Sequence, residues 1–164
     1  MYKNTLIALA LFSLSASATT ELYTDTTENV SSIKITSSAF ANPSTDFRVV
    51  YSVPVTVLAG DLMHVMGQFE VTNYPYNVGV GCEIILASSP TDTVSTDYLA
   101  ERTFTNLHPN MAHLVENPHG MKIFAEDWTG YVNLVVWAGA GVAGPSDYLT
   151  VEQGYGELDV ALIR

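Results

Sequence analysis

Basic residues are scarce in this chain, and so is cysteine. Six Lys and Arg stand against 17 Asp and Glu, a formal net charge of −11 over 164 residues. Such a surface repels phosphate backbones and anionic lipid, which argues against nucleic-acid binding and against electrostatic docking on a bilayer. It suits divalent cations or basic partners, or simply keeps the protein soluble. Cys82 is the single cysteine, so no intramolecular disulfide forms and stability must come from a hydrophobic core. Its parity with Val80 and Ile84 makes it a small buried hydrophobe. No segment sustains the helical period of 3.6. After the first 18 residues no apolar run approaches the roughly 20 residues a spanning helix needs. The chain also lacks Gly-x-Ser-x-Gly, so a hydrolytic nucleophile has no signature here.

What is present begins with a leader. Lys3 is a basic start, Leu6 to Leu14 an apolar stretch, and Ala16-Ser17-Ala18 a small-residue cleavage site. Residues 1–18 are therefore expected to be a cleaved secretory signal, with the product secreted, extracellular, on a cell surface or periplasmic. Residues 19–29 are Thr- and acid-rich and read as a flexible N-terminal arm or an early edge segment, and 30–164 as one domain. Asn29-Val30-Ser31 matches the N-glycosylation pattern, which matters only in a eukaryotic secretory pathway.

The strongest pattern runs from Val53 to Ser88. Met63, Val65, Phe69 and Val71 share one parity, and His64, Gln68, Glu70 and Thr72 the other, the period-2 mark of a strand with one buried face. Asn73-Tyr74-Pro75-Tyr76-Asn77 is turn chemistry. The return strand sets Val78, Val80, Cys82, Ile84 and Leu86 against Gly79, Gly81 and Glu83. These two strands are expected to pair as a hairpin. His64, Gln68, Glu70, Gly79 and Gly81 would then form one polar, glycine-thinned face able to receive a neighbour. Pro54 marks the preceding strand as an edge strand or a broken one. Tyr131 to Ala138 is apolar on both parities, so both its faces are expected to be covered. Short strands between Gly, Pro and Asn turns indicate an all-β antiparallel sandwich, most simply a jelly roll of eight to ten strands.

Three short motifs carry a family likeness. Gly130-Tyr131-Val132-Asn133-Leu134 resembles the Gly-x-Tyr-x-aliphatic strand of the C1q/TNF-like jelly rolls. Gly156-Glu157-Leu158-Asp159-Val160 is similar to their Gly-x-Leu closing strand, and Ala59-Gly60-Asp61 to their Gly-Asp turn. The resemblance covers about half of the chain beyond the leader. It implies a compact trimer acting as a binding or assembly head, and it brings no catalytic residues.

Several residue groups are candidates for chemistry. His108, His113 and His119 with Glu116 offer imidazole and carboxylate ligands to a transition metal, at spacings that match no standard motif. Calcium is the cofactor that the acidic loops would take, from Asp92, Asp97 and Glu101, from Glu126 and Asp127, or from Asp147. Tyr74, Tyr76 and Trp128, with Glu126 and Asp127 beside the last, are the rings and polar groups a glycan site would use. Trp128 is expected to be exposed and Trp137 packed. Glu70 and Glu83, opposite each other across the hairpin, would be a glycosidase-like pair. The expected function is an exported, non-enzymatic subunit acting by self-association. The alternative is a carbohydrate-binding module, calcium-assisted, with a glycan or cell-surface partner.

Overall fold

The computed structural model describes residues 19–26, 33–36, 47–72, 79–95, 97–100, 103–106, 114–139, 148–152 and 156–164. The expected signal peptide, Tyr74, Tyr76, Glu101, His108, His113 and Asp147 lie outside them. Among the described residues the regular structure is strand throughout. In chain order these are β1 (Thr20–Asp25), β2 (Ile33–Thr36), β3 (Arg48–Val57), β4 (Leu62–Thr72), β5 (Gly79–Ala87), β6 (Thr103–Asn106), β7 (Leu114–Glu116), β8 (His119–Ile123), β9 (Trp128–Gly139), β10 (Tyr148–Val151) and β11 (Glu157–Ile163).

Eleven segments make eight rows. β7 and β8 run along one side of β4 in a single register: Phe69 faces Glu116 and Met66 faces His119. The Gly67 amide bonds to the Pro118 carbonyl at 2.8 Å between them. Pro118 has no N–H to return, so one row reads as two strands. On the other side of β4, β10 and β11 lie end to end, and β1 and β2 in turn flank β11 and β10. The first sheet is thus four rows, β1/β2, β10/β11, β4 and β7/β8. The second is β3–β9–β5–β6. All pairings are antiparallel, and two four-row sheets face to face form the expected jelly roll.

The hairpin expected at Val53–Ser88 is not one. β4 belongs to the first sheet and β5 to the second, and each pairs with other strands. Their apolar parities are as expected: Met63, Val65 and Phe69 on β4 and Cys82 and Ile84 on β5 are all buried in one core. The two strands meet across that core, face to face, instead of side by side. Alternation fixes which face of a strand is buried, and says nothing about its in-plane neighbour.

Burial of these side chains holds the sandwich shut, at about 1.5–3 kcal/mol for each fully buried Val, Leu, Ile, Phe or Met. The second sheet is covered on its outer side as well. Ile85, Ala87 and Val135 form a second cluster with Phe47, Val49 and Tyr131, which explains why β9 is apolar on both parities. Asn133 fixes part of that cover by donating from Nδ2 to the carbonyls of Ser89 and Asp92 at 3.0 and 2.9 Å. Glu83, read as facing water, is 1% exposed within this layer. Gly81 is likewise covered, because the indole of Trp137, its partner on β9, lies across it. Leaving out a side chain at Gly81 makes room for a ring, not for a neighbouring molecule.

Candidate functional site

The outer face of the first sheet is built by the other parity of β4 and its neighbours. Across it, Thr20, Ile163, Leu62 and Ile123 stand in register, then Leu22, Ala161, His64 and Met121, then Thr24, Asp159, Met66 and His119. The first two of these ranks hold no carboxylate, in a chain carrying 17 of them. They are also largely apolar and open. Leu22 is 67% exposed, Met121 68%, Ile123 71%, Met66 48% and Ile163 38%. Contiguous apolar patches of this kind, rimmed by polar groups, mark sites of contact rather than ordinary surface. The rim is supplied by Thr24, whose hydroxyl donates to Asp159 at 2.6 Å, and by His119, Gln68 and Glu157.

The corner beside this face is held by Arg164. Its Nε donates to Asp61 Oδ2 at 3.1 Å and its guanidinium also reaches Glu21 Oε1 at 2.5 Å and the Thr56 carbonyl at 3.3 Å. Main-chain bonds in both directions between Thr19 and Arg164 continue the β1–β11 ladder. Asp61 is buried and receives the Leu58 amide at 2.9 Å. That bond and the Arg164 guanidinium hold its carboxyl below the ordinary range, against the opposing effect of burial. Tyr23 donates its hydroxyl to Glu21 at 2.8 Å, which raises its pKa. Gly60, at φ 96°, turns the chain from β3 to β4, and the Asp127 carboxylate caps that turn at the Ala59 amide, 2.8 Å away.

The expected site residues are dispersed by the fold. His64, Gln68 and Glu70 do lie on the outer parity of β4. Gly79 and Gly81 are in the other sheet, so the five do not share a face. Glu70 and Glu83 are also in different sheets, and the paired-carboxylate reading falls with the hairpin. His119 leaves its row on the outer face opposite Met66, while Glu116 is opposite the buried Phe69. Among the described residues no three His, Cys, Asp or Glu side chains converge as a metal site would require. Trp128 is not a free ring. It is half-buried, packs against the core and stacks on Phe124 with centroids 6.0 Å apart. Its neighbours Glu126 and Asp127 are exposed. Trp137 is packed, as expected, 5.0 Å from Phe47. Asp92 accepts the Ser88 and Ser89 amides and closes its own loop, and Asp97 pairs with Lys122. Of the expected arm at 19–29, Thr20–Asp25 is strand β1, paired over its whole length with β11.

An open groove of about 340 Å³ lies at the side of the other sheet, bordered by Tyr23, Pro54, Thr56, Ser88, Thr129 and Tyr131. Its walls are hydroxyls and rings without a charged side chain. The residues that sequence reasoning missed are Leu22, Met66, Met121, Ile123 and Ile163. Their signal was an apolar residue on the parity opposite to the core, repeated on four strands that only the fold brings together.

The fold defines an eight-row antiparallel jelly roll with one apolar outer face. No family model matches the sequence, and no curated protein matches it. Solved structures do share the fold. A structure of the Gx strain of infectious bursal disease virus superposes with a TM-score of 0.59 at 13% identity, covering 87% of this chain and 33% of that one. The VP2 subviral particle of the same virus gives 0.58 at 14%, covering 95% and 37%. A mutant VP2 protein in derived T=1 particles gives 0.59 at 14%, covering 95% and 36%. This chain therefore spans little more than a third of those proteins. At such identity the likeness is one of architecture: it supports the jelly roll and gives no link to C1q/TNF-like domains.

Proposed function

We propose that this protein is an exported, non-enzymatic structural subunit that works by self-association through the outer face of its first sheet. The observation that carries the reading is the apolar surface of Leu22, Met121, Ile123 and Ile163, in two ranks without a carboxylate, with Met66 beside them in the next rank. Two copies of so acidic a protein repel each other over most approaches, and the two ranks without carboxylates are where they can meet. Burying it removes apolar area from water at about 25 cal/mol per Å². The particle-forming proteins that share the fold are in keeping with this role. Export rests on the leader composition of residues 1–18.

Light scattering after size exclusion tests the reading. The purified protein is expected to associate with rising concentration. Leu22→Glu combined with Met66→Glu, both on exposed positions, is expected to weaken association and leave circular dichroism unchanged. A wild-type protein that stays monomeric at high concentration would overturn the proposal. Of the rings the carbohydrate alternative would use, Trp128 is packed on Phe124, and Tyr74 and Tyr76 lie outside the described residues.

A further inference from the structure

The two lateral sides of the sandwich are finished differently. On one side β3 is an edge strand with a backbone group closed or missing at three successive outward positions. The Ser52 amide donates to Asp25 Oδ2 at 2.8 Å, Pro54 has no N–H, and the Thr56 carbonyl accepts from Arg164. These are devices by which sheets refuse a further strand.

On the other side the first sheet ends in β8. The Gly67 amide bonds to the Pro118 carbonyl at one end, and the Phe124 amide to the Asp61 carbonyl at the other. These bonds fix the alternation: Pro118, Gly120, Lys122 and Phe124 turn their backbone groups toward β4. His119, Met121 and Ile123 turn theirs outward. Among the described residues β8 pairs with β4 alone. None of the three outward residues is a proline, and Met121 and Ile123 are among the most exposed large apolar side chains.

From this asymmetry we infer that β8 is a seam at which a second copy of the chain adds its own β8, antiparallel, about a two-fold axis through Met121. The inference rests on the self-association reading and adds an edge contact to the face contact proposed there. In this register Met121 faces Met121, His119 faces Ile123, and Lys122 faces Gly120. No two like charges stand directly opposite, which is the usual objection to pairing a strand with itself. Lys122 is already engaged by Asp97, and Gly120 opposite is covered on that face by the Leu99 backbone. The pairing is isologous and closes on itself. It joins two four-row sheets into one continuous sheet and brings the two apolar outer faces side by side. It is two-fold, unlike the three-fold that the C1q/TNF resemblance implies.

Amide hydrogen exchange read by NMR on the whole protein, below and above its association range, tests the seam. Gly120 and Lys122 should be protected at both concentrations. His119, Met121 and Ile123 should gain protection only at the higher one. Met121→Pro removes an outward N–H and no bond to β4. It is expected to weaken association about tenfold, the effect of losing two backbone hydrogen bonds at the axis. Met121→Lys keeps the N–H but sets like charges face to face, so it carries the test if the proline variant misfolds, and should weaken association as well. Association that persists in both variants, or that proceeds without protecting the three outward amides, overturns the seam and leaves self-association standing. A protein monomeric at every concentration overturns both.

Discussion

Gly81→Ala is the substitution on which the covering of the second sheet can be judged. A methyl group built at Gly81 would lie 2.1, 2.2 and 2.4 Å from Cε2, Cζ2 and Nε1 of the Trp137 indole. Carbon atoms make their best contact at about 3.5–4.0 Å, so the ring must withdraw by more than an ångström. It has little freedom to do so, being buried and packed on Phe47. Overpacking of this order costs roughly 1–3 kcal/mol. Urea unfolding followed by circular dichroism, at one fixed protein concentration, measures the loss. The decisive comparison repeats the substitution in a Trp137→Ala background. There the methyl meets no ring, and alanine regains the roughly 0.5–1 kcal/mol that glycine forfeits in regular structure. The double-mutant cycle should therefore show a coupling of about 2 kcal/mol or more. Equal costs in the two backgrounds would refute the stated packing. An effect on association with none on stability would restore Gly81 to an open face.

Three further outcomes follow from the geometry. Gly60→Ala should destabilise by about 1–2 kcal/mol in chemical denaturation, purely through its φ of 96°, because nothing lies within 4 Å of the added carbon. Asp61 has a folded-state pKa depressed by the Leu58 amide and Arg164. Its stabilising contribution is thus present above the unfolded carboxyl value near 3.9 and lost as the pH falls through the lower folded value. Acid unfolding of Asp61→Asn should accordingly show a shallower pH dependence than wild type over that window. Pro54→Thr, which restores an outward N–H to β3, should raise light scattering at high concentration with little change in stability, and unchanged scattering would count against the edge-protection argument.

Much of the fold was legible because strand parity is a local property. Met63, Val65, Phe69 and Val71 announce a buried face in any all-β protein, and Cys82 with Ile84 does the same. Pro54 on an edge strand follows from its missing donor. The pairing of strands was not legible, since β4 and β5 are neighbours in sequence yet lie in opposite sheets, while β4 takes β11 and β8 as partners. Gly79 and Gly81 looked like a bare surface because the ring that covers Gly81 comes from Trp137 on β9. β1 looked like an arm because its pairing partner among the described residues is β11, more than 130 residues further along the chain. The apolar outer face was hidden for the same reason. Leu22, Met66, Met121 and Ile163 are unremarkable singly and form a surface only when four strands are set in register.

That long-range pairing of β1 has a consequence in time. During synthesis β1 emerges well before β11, so at about 5–20 residues per second β1 waits on the order of ten seconds for its partner. β3, β5, β6 and β9 are all present once Gly139 has been made, and the second sheet has its full set of strands well before the first. The first sheet lacks the β11 part of the row between β1 and β4 until Ile163 has been made. Its outer face is assembled from β1, β4, β8 and β11, so an unfinished chain does not possess it. Chains that have not yet yielded β11 cannot join through a surface that none of them has, and association through it is deferred until β11 is in place.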